Sequence, residues 1–193
     1  MHSNGVFGFT KDNITKVTYN RSEIYPSVLG EVIIQYIKEH SDDQFNNLFS
    51  KIKLLSKNDL EKPIKDFLTN DQMKYFLLNG YMHRYKPFET TSLFFLNNYF
   101  GIGYEIFEKN LLILNAENFL LDSLFCEYGY IINLDTNKLE IWKGFQKRPN
   151  ITNKYGTTAN QYGYYPCKII KEISLKYIRS KNFSLKKTLG KNY

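Results

Sequence analysis

Residues 125–145 read FCEYGYIINLDTNKLEIWKGF, and their pattern decides the fold. Apolar or aromatic residues recur at every second position on both arms of this stretch. These positions are Tyr128, Tyr130, Ile132 and Leu134 on the first arm, and Leu139 and Ile141, which oppose Glu140 and Trp142, on the second. Alternation of this kind is typical of strands with one covered face. The stretch predicts a β-hairpin near the middle of a sheet.

The turn of this hairpin is predicted at residues 135–138, Asp-Thr-Asn-Lys. An Asp side chain caps such turns through its own carboxylate, and Asn tolerates a left-handed backbone. We expect a short turn with a bulge, in which Asp135 is the cap and Asn137 is left-handed. Gly144 then ends the second strand.

Upstream of this stretch, the pattern predicts a second hairpin followed by helices. Residues 6–9 and 14–19 flank a cluster of turn-forming residues at 10–13. Ser27 stands where a helix N-cap belongs, and the helix should run to about His40. Ser41 or Asp42 should cap a second helix. Shorter helices are predicted within 58–68, 71–78 and 90–99, while 104–121 fits a helix or a strand.

The C-terminal part is predicted as a loop, a strand and a tail. Residues 148–163 are polar and contain repeated Pro, Asn, Thr and Gly, as a long loop does. Residues 164–175 have strand-like composition, and Pro166 favours an edge strand. We therefore expect one α+β domain over residues 1–179, with an antiparallel sheet made of the two hairpins (the central one at 128–143) and this strand, and helices from 27–121 packed on it. Residues 180–193 are expected to form a loosely ordered basic tail.

Composition points to a folded protein of the cytoplasm. The chain has 193 residues, of which 42% are hydrophobic and 17% aromatic, enough for a large core. Cys126 and Cys167 lie in apolar segments without a CxxC pattern or a nearby His, which indicates buried free thiols. A signal sequence and a run of about 18 apolar residues are both missing, so we expect no membrane partner.

Positive charge is concentrated in the last third of the chain. Residues 143–193 contain twelve basic residues and one acid, Glu172, for a net charge of +11 against +7 for the whole chain. A cationic segment favours a polyanionic partner through electrostatic attraction and counterion release. The alternative is a solvated, solubilising basic face.

Catalytic, metal and cofactor signals are weak. His2, His40 and His83 have no partners at metal or triad spacing and are interpreted as exposed or capping side chains. Asp42 and Asp43 fit the start of a helix. Gly101-x-Gly103 is only a fragment of a phosphate-binding loop. We predict no cofactor and no metal. The sequence favours a binding protein over an enzyme without deciding between them.

Several segments together resemble a family of uncharacterised proteins of bacteriophages and prophages. They are the opening Met-x-Ser-x-Gly-Val-Phe-Gly-Phe, Thr18-Tyr19-Asn20, Tyr25-Pro26-x-x-Leu29-Gly30, the run from Asp122 to Tyr128, the run from Tyr130 to Thr136, and Tyr164-Tyr165-Pro166. Family members begin Met-Gly-Thr-Arg-Gly, where this chain has His2-Ser3-Asn4, and they carry Asp before the Tyr-Pro, where Glu23-Ile24 stands. The resemblance implies a phage context and the cytoplasm of a host cell. It transfers no catalytic residue.

Two functional hypotheses follow. The first is a non-enzymatic protein that engages RNA or a nucleoprotein, such as an inhibitor of a host defence complex of the CRISPR-Cas type (an anti-CRISPR role). Its predicted nucleic-acid-binding residues are Lys143, Lys147, Arg148, Lys154, Tyr155, Tyr162, Lys176, Arg179, Lys181, Lys186 and Lys187. The second is an amide hydrolase with an N-terminal nucleophile, for which Ser3 would have to become the first residue. A structural or regulatory phage protein fits the same residues.

Overall fold

A computed structural model describes residues 4–20, 23–55 and 112–190. The strands are β1 (Gly5–Lys11), β2 (Ile14–Asn20), β3 (Lys53–Leu55), β4 (Leu112–Leu114), β5 (Tyr128–Asn133), β6 (Lys138–Lys143) and β7 (Lys168–Ser174). The α-helices are α1 (Glu31–Glu39), α2 (Asp42–Lys51), α3 (Leu175–Ile178) and α4 (Leu185–Leu189). A turn of π-helix, Pro26–Gly30, precedes α1, and a 3₁₀ helix, Glu117–Leu121, precedes β5.

Five strands form the main sheet in the order β2-β1-β5-β6-β7. The pairs β1–β2, β5–β6 and β6–β7 are antiparallel, whereas β1 and β5 are parallel. The α+β class is therefore confirmed, but the sheet is mixed rather than antiparallel throughout. The reason is that more than a hundred residues separate β1 from β5, and a long crossover connection permits parallel pairing.

Both predicted hairpins are present, and β5 lies at the centre of the sheet as expected. In the turn of the first hairpin, Asp12 and Asn13 have φ values of 50° and 61°. In the turn of the second, Asn137 has a φ of 52°, which confirms the left-handed backbone predicted for it. The prediction that Asp135 caps its own turn is wrong. Asn133 Oδ1 accepts the turn N–H groups, and the Asp135 carboxylate accepts the N–H of Asp12, which joins the two turns.

The first two helices are present, but the first begins differently from the prediction. Ser27 lies inside the π-helical turn, and the residue in front of that turn is Tyr25. Of the two predicted caps, Ser41 and Asp42, it is Ser41 that caps α2, and it does so in a capping box with Gln44 that the sequence analysis did not identify. Lys16 fixes the far end of α2, because its ammonium group donates to the carbonyl oxygens of Phe49 and Ile52 at 2.7 Å each.

The sheet is buried on both faces, which alternation with one covered face did not predict. The helix-side core includes Phe7, Phe9, Tyr130, Ile132, Leu139 and Ile141 together with residues of α1, α2 and α3. The loop-side core contains Val6, Val17, Ala116, Leu120, Cys126, Ile131, Trp142 and Cys167, with Tyr155 packed against it. Ile131 and Trp142, which a one-sided sheet would expose, are therefore buried.

The C-terminal strand is an edge strand of this sheet, as Pro166 indicated. Part of the segment predicted as a loose tail, up to Gly190, lies within the described residues, and the looseness of the tail stays a prediction. Phe183 and Leu185 are buried in the helix-side core, and α4 follows with Ser184 accepting the N–H of Lys187. Two apolar side chains at suitable spacing therefore hold this basic segment on the protein.

Several predictions concern residues that the structure does not describe. The helices expected within 58–68, 71–78 and 90–99 and the limits of a single domain stay predictions. Of the ambiguous stretch 104–121, the described part contains the short strand β4 and the 3₁₀ helix.

Replacing Ile132 with Asp should lower the free energy of unfolding by about 3–5 kcal/mol, because it buries an unpaired charge. Ile132 is fully buried, whereas Ile151 is 88% exposed and provides the matched control. Ile151→Asp should change stability by no more than about 0.5 kcal/mol. Urea denaturation of both variants measures the difference, and equal stabilities would place Ile132 at the surface.

Candidate functional site

The predicted basic residues fall on two sides of the sheet. On the loop side, Lys154 lies with its ammonium group 4.8 Å from the centre of the Tyr155 ring, which packs against Trp142. On the helix side, Lys186 and Lys187 are exposed on α4, next to the buried Leu185. Lys176 and Lys181 are also exposed there, in and just after α3. The sheet separates these two groups of charge.

Two of the predicted residues are engaged within the protein. The Arg179 guanidinium donates to the Ile37 carbonyl and lies 2.8 Å from an oxygen of Asp42, so it ties α3 to α1 and α2. The Tyr155 hydroxyl donates to Glu117, and burial, followed by the nearby Glu117 charge, raises the pKa of Tyr155 well above its usual range. Both side chains are half-buried and make contacts within the protein.

The end of the sheet where β5 begins and β6 ends is rich in exposed aromatic side chains. Phe125 and Phe145 are each 51% exposed, and the Phe145 ring lies 6.5 Å from that of Tyr164 in an edge-on arrangement. The Lys147 ammonium group lies 3.3 Å from the centre of the Tyr164 ring, a close cation–π contact. We call Phe125, Phe145, Lys147 and Tyr164 the aromatic rim.

The backbone of the rim has an uncommon conformation. Phe145 has φ 56°, a region that bulky residues seldom adopt. Its N–H donates to the carbonyl oxygen of the buried Ser123 at 2.6 Å, and the N–H of Gln146 donates to the Ser123 hydroxyl. Gly144 is required beside it, because an added Cβ would collide with the carbonyl oxygens of Ser123 and Cys126.

Asn side chains shape the loop that carries the rest of the rim. Asn150, Asn153 and Asn160 each accept a backbone N–H two residues further along the chain, as Asx turns do. Asn160 also accepts the N–H of Tyr164 and donates to Asp122, which fixes Tyr164 against the segment before β5. The loop predicted at residues 148–163 is therefore built by specific hydrogen bonds.

The rim is surrounded mainly by positive charge. Lys143 and Lys168 lie opposite each other at this end of the antiparallel strands β6 and β7. Arg148 is exposed next to Lys147. Two acids are also present at this end. Asp122 is hydrogen-bonded to Asn160, and Glu127 is half-buried.

A concave surface lies on the helix side. It is a groove of about 400 Å³ between β7 and the C-terminal segment, with Lys171, Glu172, Tyr177, Asn182, Ser184 and Lys187 among its lining residues. Positive and negative side chains both line it, so its charge does not select one class of ligand.

The His and acidic side chains of the described residues are candidate metal ligands. No group of three or more His, Cys, Asp or Glu side chains there could hold a metal ion. His40 contacts the Tyr36 carbonyl oxygen at the end of α1, which agrees with the predicted capping role. Ser3, His2, His83 and the Gly101-x-Gly103 fragment lie outside the described ranges.

In the part of the chain that the structure describes, no helix has both the length and the apolar character needed to cross a membrane.

Comparisons with known proteins add no further identification. No protein-family model, no curated protein and no solved structure matches this chain.

Sequence reasoning missed Phe125, Phe145 and Lys168 as site residues. Exposed and buried phenylalanines look the same in a sequence, and Lys168 comes to this end of the sheet only through its pairing with Lys143. The one local signal is Gly144-Phe145 directly after a strand. It marks an abrupt change of backbone direction but not the exposure of the ring.

Cys126 and Cys167 are free and buried, as predicted, and they should not react in the folded protein. A hydrogen bond with the Cys167 thiol, together with burial, raises the pKa of the Cys126 thiol, so its reactive thiolate is scarce at pH 8. Titration with a thiol reagent should detect two thiols in denaturant and almost none in buffer. Rapid labelling of the native protein would contradict the burial of this pair.

Stability should fall as pH rises above about 10, because of Tyr130. Its hydroxyl donates to the Ile24 carbonyl, and burial raises its folded-state pKa above the unfolded value. The unfolded chain therefore loses this proton first, at a cost of about 1.4 kcal/mol per pH unit. Tyr130→Phe should remove that part of the slope in urea denaturation, while Tyr162→Phe, at a 56% exposed position, should leave it unchanged.

Proposed function

We propose that this protein binds RNA, or a complex that contains RNA, and does so without catalysis. The observation that carries the proposal is the aromatic rim: the Lys147 ammonium group held over the Tyr164 ring, beside the half-exposed Phe145. Exposed aromatic faces next to cations are the combination that binds unpaired bases and their phosphates.

Charge supports a polyanionic partner. The last 51 residues carry a net charge of +11, which repels itself in the folded protein. Phosphate groups would relieve this repulsion, and the counterions released from the nucleic acid would add favourable free energy.

Unpaired RNA fits the surface better than duplex DNA does. The two helices of the basic region, α3 and α4, have only four and five residues and pack through Leu175, Ile178 and Leu185. Neither has the length of a helix that reads bases in a major groove. Aromatic rings at an irregular edge suit bases that are already unstacked.

We divide the proposed phosphate partners into two groups by their position on the protein. Those around the rim and on the loop side are Lys143, Lys147, Arg148, Lys154 and Lys168. Lys176, Lys181, Lys186 and Lys187 form a separate group on the helix side and would meet a different part of a long RNA or of a nucleoprotein. Arg179 and Tyr155 are left out of the proposed contacts, because the Arg179 guanidinium lies against Ile37 and Asp42 and the Tyr155 hydroxyl donates to Glu117.

The resemblance to phage and prophage proteins supplies a proposed setting. In the cytoplasm of a host cell, an RNA-binding protein of a phage would inhibit a defence complex by binding the RNA of that complex. This setting rests on the resemblance, and the RNA-binding proposal does not depend on it.

Substituting Glu for both Lys147 and Arg148 should lower the affinity for a short single-stranded RNA at least about tenfold, because two phosphate contacts become repulsive. The dependence of log affinity on log salt should become shallower by about 1.4, since each lost contact contributes about 0.7. Fluorescence anisotropy at several salt concentrations measures both quantities. Thermal unfolding should change little, because both side chains are exposed.

The matched control is the pair Lys186→Glu and Lys187→Glu, which makes the same charge change on the helix side. It should weaken binding of the short RNA much less than the change at the rim. Equal losses for the two pairs would show that net charge, rather than the rim, governs binding. An affinity indifferent to salt and to both pairs would overturn the proposed function.

A further inference from the structure

We infer that Phe145 is the platform on which an unpaired base of the RNA stacks, and that its strained backbone is retained for this contact. The inference rests on the proposed function and assigns a specific role within it. It predicts that the protein distinguishes RNA with bases from a bare sugar-phosphate chain.

The first support is the mismatch between Phe145 and its backbone. Its φ of 56° suits glycine, and Asp or Asn adopt such values more readily than an aromatic residue does. In the hairpin turns the residues with similar φ are Asp12, Asn13 and Asn137, as expected. A bulky ring at such a position is costly, and residues of this kind concentrate at functional sites.

The second support is that the surroundings impose this conformation whichever side chain is present. The backbone N–H of Phe145 donates to the carbonyl oxygen of Ser123. The side-chain amide of Gln146 donates to the carbonyl oxygens of Lys143 and Gly144. These hydrogen bonds use backbone groups of residues 143–145, and the Phe145 ring takes part in none of them. Since the ring is also half-exposed, the demands of the core do not explain its presence.

The third support is the division of roles within the rim. Lys147 covers the Tyr164 ring at 3.3 Å, so that ring serves to position the ammonium group. Tyr164 contacts Phe145 through an edge-on arrangement, with 68° between the ring planes. Phe145 is thus supported from one side, and Lys147 is held close enough to meet the phosphate of a base that stacks on it.

The chemistry of this contact defines the ligand class. A phenyl ring offers stacking but no hydrogen bond, so the site should accept any base and show little sequence preference. It requires a base that is already unpaired, because a duplex does not expose the face of its bases.

Phe145→Gly is the informative variant, because it removes the ring and relieves the backbone together. The melting temperature should stay the same or rise, whereas the affinity for oligouridine should fall at least about fivefold, in line with the loss of one stacked base. The affinity for an abasic RNA of equal length should not change. Phe145→Tyr, which keeps an aromatic face, should bind oligouridine as the original protein does.

Asn137→Gly is the matched control, since it relieves a similar φ of 52° at the opposite end of β6. It should leave both affinities unchanged. Oligouridine binding by Phe145→Gly at the original affinity would overturn the inference. Equal binding of oligouridine and abasic RNA by the original protein would overturn stacking and leave the proposed function in place, whereas binding of neither probe would overturn both.

Discussion

The parallel pairing of β1 with β5 is the interaction on which the rest of the structure depends. It runs from Gly5 opposite Tyr128 to Thr10 opposite Asn133, and it joins two hairpins that lie far apart in the sequence. Backbone bonds from Glu127 to Asn4 and from Leu134 to Thr10 extend it at both ends. Without this pairing each hairpin would be a small, marginal unit; with it, β5 has strands on both sides and buried side chains on both faces.

Burial of both faces also determines where the charges lie. Helices α1, α2 and α3 cover one face, while the 3₁₀ helix and the loop that carries Tyr155 cover the other. The chain crosses from the loop side to the helix side along β7, so the basic residues before and after this strand reach different surfaces. A segment that is uniformly cationic in sequence therefore becomes two separate groups in space.

The rim combines a rigid support with an unfavourable local conformation. Ser123 is fully buried. Its carbonyl oxygen accepts the N–H of Phe145 and its hydroxyl oxygen accepts the N–H of Gln146, and these two hydrogen bonds hold the backbone of residue 145 in its conformation. The cost of a bulky residue at positive φ is of order 1–3 kcal/mol, a noticeable part of the stability of a domain this size. Such a cost is tolerated where the core holds the surrounding atoms firmly.

The sequence by itself determined the two hairpins, the edge strand, a helix cap at Ser41 or Asp42 and the burial of both cysteines. These features depend on alternation, turn chemistry and side-chain hydrogen bonds between residues close together in the chain, and local patterns report them directly. Only the tertiary structure decided four other features: the parallel β1–β5 pairing, the burial of Phe183 and Leu185, the contact of Arg179 with Asp42, and the exposure of Phe145. Each of these depends on contacts between distant parts of the chain, whose free energy appears only when the packed neighbours are in place.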